Sequence, residues 1–200
     1  MQYRPQHGPS LGVSYTLSKA LRDVEDFQYF AQDELNPAAD KGAANNDRRH
    51  QLVANFNWTL PAGLQVAGLA SARSGLPWNV TTGVDSNLDT QTNDRPDLAV
   101  PGGDPLDKAT YFANFTRRVG NLPRNYNRGP KYFSLDMRLS KYITMPKTKA
   151  ELFAEAFNLT NFVNLGTPVG NLRSATFGQS TMLATNAAPR RVEVGARVNF

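Results

Sequence analysis

Few side chains in this sequence are equipped for chemistry. There is no cysteine, and the only histidines are His7 and His50. Disulfides, thiolate-bound zinc, iron–sulfur clusters and thiol catalysis are thereby excluded. A hydroxyl nucleophile would have to be Ser10 or Ser14 beside His7, and no supporting pattern surrounds them. His50 closes the cluster Asp47-Arg48-Arg49-His50 and has no partner motif as a base. The two arginines of that cluster can fork onto phosphate oxygens, or the cluster can be a charged strand end that fixes a loop. The run Asp85-Ser-Asn-Leu-Asp-Thr90 begins like a calcium loop, but Thr90 stands where glycine is needed and Pro96 where the bidentate glutamate is needed. Asx residues bonding their own backbone account for the run; an irregular cation site within 85–94 is the alternative. No enzymatic activity and no cofactor are expected.

A larger set of ionisable groups is ordered by period. Asp136, Arg138, Lys149, Glu151, Glu155, Arg191, Glu193 and Arg197 each sit between apolar or small neighbours. Successive strand side chains point to opposite faces, so such alternation describes strands with one greasy and one wet side. At the C-terminus Val192, Val194, Ala196, Val198 and Phe200 share one face, against Arg191, Glu193, Gly195, Arg197 and Asn199. Comparable segments occupy 10–20, 49–60, 64–80, 134–145 and 149–162, about six strands in all. No segment reads as an amphipathic helix.

The connections alternate in length. Pro61-Ala-Gly63 and Pro146-Lys147 are tight turns, whereas 21–47, 81–131 and 163–189 are long and polar. Compact soluble domains rarely carry several structureless loops of this length. Membrane barrels do, with short turns at the periplasmic rim and long loops outside. With the last strand ending in the periplasm, every short turn falls on that side and every long loop on the other. Trp58 and Phe200 then flank the periplasmic interface, and Trp78, Phe133 and Phe162 the outer one, as an aromatic girdle.

Composition agrees with this reading. Apolar residues make up 40% of the 200 residues, mean hydropathy is −0.47, and no apolar run approaches the roughly 18 residues of a membrane helix. The 22 Lys and Arg exceed the 17 Asp and Glu by five, for a net charge of +5. The basic residues are scattered among acidic ones, with no basic run or stacking motif, so nucleic acid is not the expected partner. The fold expected is all-β: an antiparallel up-and-down transmembrane β-barrel segment, an open sheet or partial barrel, with long extracellular loops. A soluble β-sandwich acting as a binding module shares the period-two pattern, but it does not explain the alternation of short and long connections.

Eight stretches carry a family resemblance: Tyr15-Thr-Leu-Ser-Lys-Ala20, Asp47-Arg-Arg-His50, Ser74-Gly-Leu-Pro-Trp78, Asn93-Asp-Arg-Pro96, Arg138-Leu-Ser-Lys141, Glu151-Leu-Phe-Ala-Glu-Ala-Phe-Asn-Leu-Thr-Asn161, Phe177-Gly-Gln179 and Val198-Asn-Phe200. Together they resemble the C-terminal end of a TonB-dependent outer-membrane receptor of the Oar-like type, across nearly the whole chain. The resemblance implies a Gram-negative outer membrane and a plugged barrel of about 22 strands. It implies outer-membrane lipid, the barrel-assembly machinery, and the remaining barrel and plug as partners, with TonB reached only through upstream parts. It also implies that Val192, Val194, Ala196, Val198 and Phe200 form the signal read during assembly. The sequence shows no plug, TonB box or signal peptide. Residues 1–200 are therefore expected to be the last part of a longer receptor barrel, inactive alone.

Overall fold

The computed structural model describes residues 1–3, 8–23, 30–114, 116–146 and 148–199. His7, Lys147 and Phe200, which figured in the expectations above, lie outside the described residues. In chain order the strands are β1 (Gln2–Tyr3), β2 (Ser10–Leu17), β3 (Leu21–Arg22), β4 (Gly42–Ala43), β5 (His50–Leu60), β6 (Leu64–Arg73) and β7 (Pro77–Trp78). They continue with β8 (Asp97–Leu98), β9 (Tyr111–Phe112), β10 (Asn127–Arg128), β11 (Tyr132–Met145), β12 (Thr148–Phe157) and β13 (Arg191–Asn199). Seven of them form one open sheet in the order β1-β2-β5-β6-β11-β12-β13. Every pairing in it is antiparallel.

The register keeps like with like. Val13 stands opposite Ala54, Ala54 opposite Ala70, and Ala70 opposite Leu135. Leu139 faces Ala154, and Ala154 faces Val194. A slip of one residue anywhere would put an apolar set on the wrong side. The apolar face thus runs across the whole sheet, and among the described residues no second sheet stacks on it. Leu152 and Val192 are exposed, and Val194 reaches 81% exposure. A β-sandwich buries that face, so the sandwich alternative fails here.

One cation belongs to the apolar face. Lys141 stands opposite Leu64 and Leu152, close to the short-turn end. Its ammonium donates to the carbonyl oxygen of Ala62 in the 61–63 turn. The stem lies along apolar surface while the charge reaches the polar rim, the behaviour expected of a lysine at an interface.

Two strands end earlier than their periodicity predicts. The expected strand 64–80 stops at Arg73. A Cβ on Gly75 would lie 1.9 Å from the carbonyl oxygen of Gly129, so only glycine permits this crossing of two backbones. Beyond it Pro77–Trp78 pairs with Asn127–Arg128 in a separate ribbon. The expected strand 149–162 stops at Phe157, because Asn158 and Asn161 adopt left-handed φ values of 48° and 53°. The Asn158 side-chain amide then donates to the carbonyls of Phe162 (3.0 Å) and Ala188 (2.9 Å), and its oxygen accepts from the Phe162 amide at 3.0 Å.

The long connections are not structureless. They fold together at one end of the sheet around Trp78, Val80, Tyr111, Leu122 and Phe177, with Leu98 and Leu172 packed alongside. Trp78 is therefore a correction: it is 4% exposed and belongs to this loop core, not to a girdle on the sheet face. Its ring centroid lies 6.2 Å from that of Phe177, which meets Tyr111 edge-on at 5.9 Å. Alternation carried past the break at Gly75 misassigned it.

Polar side chains do most of the stitching. Arg95 and Asp40 form a 2.6 Å ion pair with side-chain exposures of 4% and 2%. Arg95 also donates from Nε to Leu122 O at 2.8 Å. Gln32 joins the same knot: its amide donates to Asp40 at 2.9 Å, its Nε2 to Gly120 O at 3.0 Å, and its Oε1 accepts from the Arg95 amide at 2.9 Å. Removing one partner of a buried pair strands the other charge, at a cost of about 3–5 kcal/mol. Arg95→Ala is accordingly expected to loosen the loop unit by that amount while the sheet survives. Limited proteolysis should then cut within 21–47 and 81–131 much faster than in the wild type, with the heat-dependent gel shift of the barrel unchanged.

Candidate functional site

The polar face of the sheet carries the charged set. In β11 and β12 the register sets Arg138 opposite Glu155, and the expected cross-strand ion pair forms. The same guanidinium reaches Glu151 at 2.7 Å, donates from Nε to Ser140 Oγ at 3.1 Å, and lies 4.1 Å above the Phe153 ring. Glu151 further accepts from Ser140 Oγ at 2.9 Å and from the Tyr142 hydroxyl at 3.2 Å. The network continues through Tyr142 to Gln65 (3.0 Å) and from Gln65 to Asn57 (2.8 Å), crossing four neighbouring strands. Periodicity puts Ser140 and Asn57 on the polar face, but nothing in the sequence marks them, Tyr142 or Gln65 as members of this network, since neutral polar residues on a strand give no charge signal.

The remaining members are placed but less connected. Asp136 accepts from Ser134 Oγ at 3.0 Å and from the Asn158 amide at 2.8 Å. Arg191 pairs with Glu193 at 2.8 Å and lies 4.8 Å over Phe157. Glu155 and Glu193 stand directly opposite each other. Like charges so placed repel, and each is compensated by its own arginine. Arg197 faces Glu151, and Lys149 faces Asn199. Where the loops meet this face, a cavity of about 510 Å³ opens between Tyr132, Asp136, Phe157, Asn158, Arg190 and Arg191. It offers aromatic walls, amides and two cations, which suits binding of a polar solute.

Other candidates resolve into structure. Asp47 takes the Arg128 guanidinium at 2.5 Å and the Ala20 amide at 2.8 Å, while Arg48 donates to Ser74 O at 2.8 Å. The Asp47–His50 cluster thus ties loops to the end of β5. His50 itself accepts or donates at Nδ1 to the Tyr15 hydroxyl at 2.8 Å, on the apolar face. In the 85–90 run the Asp85 carboxylate accepts the amides of Leu88 (2.7 Å), Asp89 (3.1 Å) and Thr90 (2.8 Å), which is turn chemistry. Among the described residues no group of three or more acids or histidines could hold a metal ion. Trp58 is exposed on the apolar face near the short turn. Phe133 and Phe162 meet edge-on at 6.1 Å near the loop end.

Two loop carboxylates are driven in opposite directions. Burial works to raise the Asp47 pKa, but the Arg128 hydrogen bond, the Ala20 amide and the nearby charges of Arg128 and Arg49 hold it below the ordinary value. Burial raises the pKa of Asp94 against the amides of Ser86 and Asn87, and the charges of Asp89 and Asp85 push it further up. Its Oδ1 is buried with no hydrogen-bond partner. Linkage gives the signs. The Asp47 contribution is present above the unfolded-state value and is lost as pH falls through its lowered folded value. Asp94 costs stability as pH rises through its raised value, because the folded state holds the proton more tightly. Asp94→Asn should therefore raise the melting temperature of the loop unit near neutral pH and flatten its decline above about pH 4. Thermal unfolding followed across that range checks it.

Gly195 supports the charged network from the neighbouring strand. A Cβ there would lie 2.5 Å from the Phe153 ring, the ring on which Arg138 rests. Gly195→Val is expected to displace the ring and to destabilise the sheet by about 1–3 kcal/mol, the usual cost of overpacking. The midpoint of the heat-dependent gel shift in detergent should fall accordingly.

Comparison with known proteins adds one finding. No curated protein and no solved structure matches the chain. A family model described as an outer membrane beta barrel domain matches residues 1–193, nearly the whole length. The antiparallel sheet with one apolar and one charged face is consistent with this description, although its edge strands β1 and β13 do not pair with each other. The chain belongs to the outer membrane beta barrel domain family, and its place is the outer membrane.

Proposed function

We propose that the chain forms the C-terminal wall of a TonB-dependent receptor barrel, Oar-like in type, through which a ligand is taken up. The observation that carries this reading is the pairing of a continuous lipid-compatible face with a charged face under a folded loop cap. An open sheet in lipid leaves unpaired backbone at both edges, which is prohibitively costly. Further strands must therefore close it, as in a large barrel. The 61–63 turn and the short-connection end of β11 and β12 face the periplasm, and the loop cap faces outward. Asp136, Arg138, Lys149, Glu151, Glu155, Arg191, Glu193 and Arg197 face the lumen, where they line a pathway or contact a plug. The C-terminal sequence signal of Val192, Val194, Ala196, Val198 and Phe200 is read by the barrel-assembly machinery. Energy comes from TonB through parts outside these residues, and the chain itself performs no catalysis.

The test is peptide mapping of the outer-membrane fraction. Peptides from 1–200 should co-migrate with upstream barrel and plug peptides in one heat-shiftable band. Recovery of the chain as a free species of 22.0 kDa, folded and monomeric in detergent, would overturn the reading.

A further inference from the structure

Turn chemistry accounts for Asp85, whose two oxygens accept three backbone amides at 2.7 to 3.1 Å. It does not account for Asp94. This carboxylate lies against the same turn, where its Oδ2 accepts the amides of Ser86 at 2.5 Å and Asn87 at 3.3 Å. Asp94 is fully buried, at 0% exposure, and its Oδ1 has no hydrogen-bond partner among the described residues. Asn93 Oδ1, one residue earlier, is buried without a partner as well. A buried acceptor left unsatisfied costs the full desolvation of the group. An oxygen in this state calls for a donor or a cation that the neighbouring side chains do not supply.

The surrounding charge is all of one sign. Asp89 is half-buried, and its carboxylate accepts from Asn87 Nδ2 at 2.9 Å and from the Gln91 amide at 2.8 Å. The charges of Asp89 and Asp85 both bear on Asp94. Among the described residues none of these three carboxylates forms an ion pair, and Arg95, next in the chain, is committed to Asp40. The three do not gather into one group of acids. A cation here must therefore rest on two carboxylates and on neutral oxygens. Calcium accepts such mixed, irregular oxygen sets, whereas magnesium demands near-octahedral geometry and sheds its water reluctantly.

We propose that the turn binds one calcium ion between Asp94 Oδ1 and the Asp89 carboxylate, with the Asn87 side-chain oxygen and water completing the shell. The ion satisfies the orphaned oxygen and cancels the repulsion between the acids. It also ties the 85–90 turn to the segment that leads into the buried Arg95–Asp40 pair, and so stiffens the loop unit. With only two carboxylates the site is of the weak class, half-saturated at about 10⁻⁴–10⁻³ M. It uses contacts within the loop unit alone, so it holds whichever way the loops face.

The test uses the full gene product, purified in detergent, stripped with EDTA and dialysed into calcium-free buffer. In equilibrium dialysis with radioactive calcium the wild type should bind one more ion per chain than Asp94→Asn. Proteolytic cutting of the wild type within 81–131 should slow about tenfold at about 10 mM calcium if half-saturation lies at about 1 mM, and should change little in magnesium. Asp94→Asn should gain no protection from calcium. In EDTA it should be cut no faster than the wild type, because the amide removes the burial cost of the charge; this separates loss of an ion from loss of the fold. Asp89→Asn is the second variant and should weaken the calcium protection. The heat-dependent gel shift verifies that each variant keeps its barrel. Equal calcium binding by wild type and Asp94→Asn, no slowing of wild-type proteolysis by calcium, full protection of Asp89→Asn, or equal protection by magnesium would each overturn the proposal. Stabilisation by acid with no response to calcium would mean that a proton alone satisfies Asp94, and would overturn it too.

Discussion

The hydrogen-bond register between adjacent strands is the constraint on which the rest depends. Side chains alternate along each strand, so neighbours paired in phase share their apolar side, and neighbours out of phase would oppose it. All six pairings of the large sheet are in phase, from Leu11 opposite Phe56 to Val198 opposite Ala150. The charged side follows automatically. Arg138 meets Glu155 because Leu139 meets Ala154 one residue further on. The ion pairs therefore follow a register that hydrophobic matching selects.

The loop unit is built on a different principle. Its apolar core is small, and much of its order comes from side chains that satisfy backbone groups. Arg124 donates from Nε to Asp40 O at 2.9 Å, and Asn125 to Ala43 O at 2.8 Å. Asn164 does the same at the sheet boundary, where its amide both accepts from and donates to the Phe133 backbone at 2.7 and 2.8 Å. Buried backbone groups must find partners. Where the chain cannot form ladders, Asn, Gln and Arg supply them. Trp78 Nε1 is an exception, buried without a partner.

This division explains what the sequence made legible. Strand positions, faces and the Arg138–Glu155 pairing follow from a period of two, which local sequence reports directly. β5, β11 and β13 fall within a residue or two of their expected spans. The loop fold does not follow, because its contacts are long-range and aperiodic. Gln32, Asp40 and Arg95 are far apart in sequence, and nothing in their neighbours announces that they meet. Asn93-Asp-Arg-Pro96 stood out only through family resemblance, and its Arg95 proves to be the centre of the buried knot. Trp78 escapes periodicity for the same reason: beyond Gly75 the chain leaves the sheet, and alternation no longer reports a face.

Lys141, bonded to the 61–63 turn, fastens one rim of the sheet. At the other rim Asp47 and Arg128 fasten it again. A wall pinned along both ends resists lengthwise sliding of its strands, much as hoops hold the staves of a cask. What freedom it keeps is sideways bending, one strand flexing against the next.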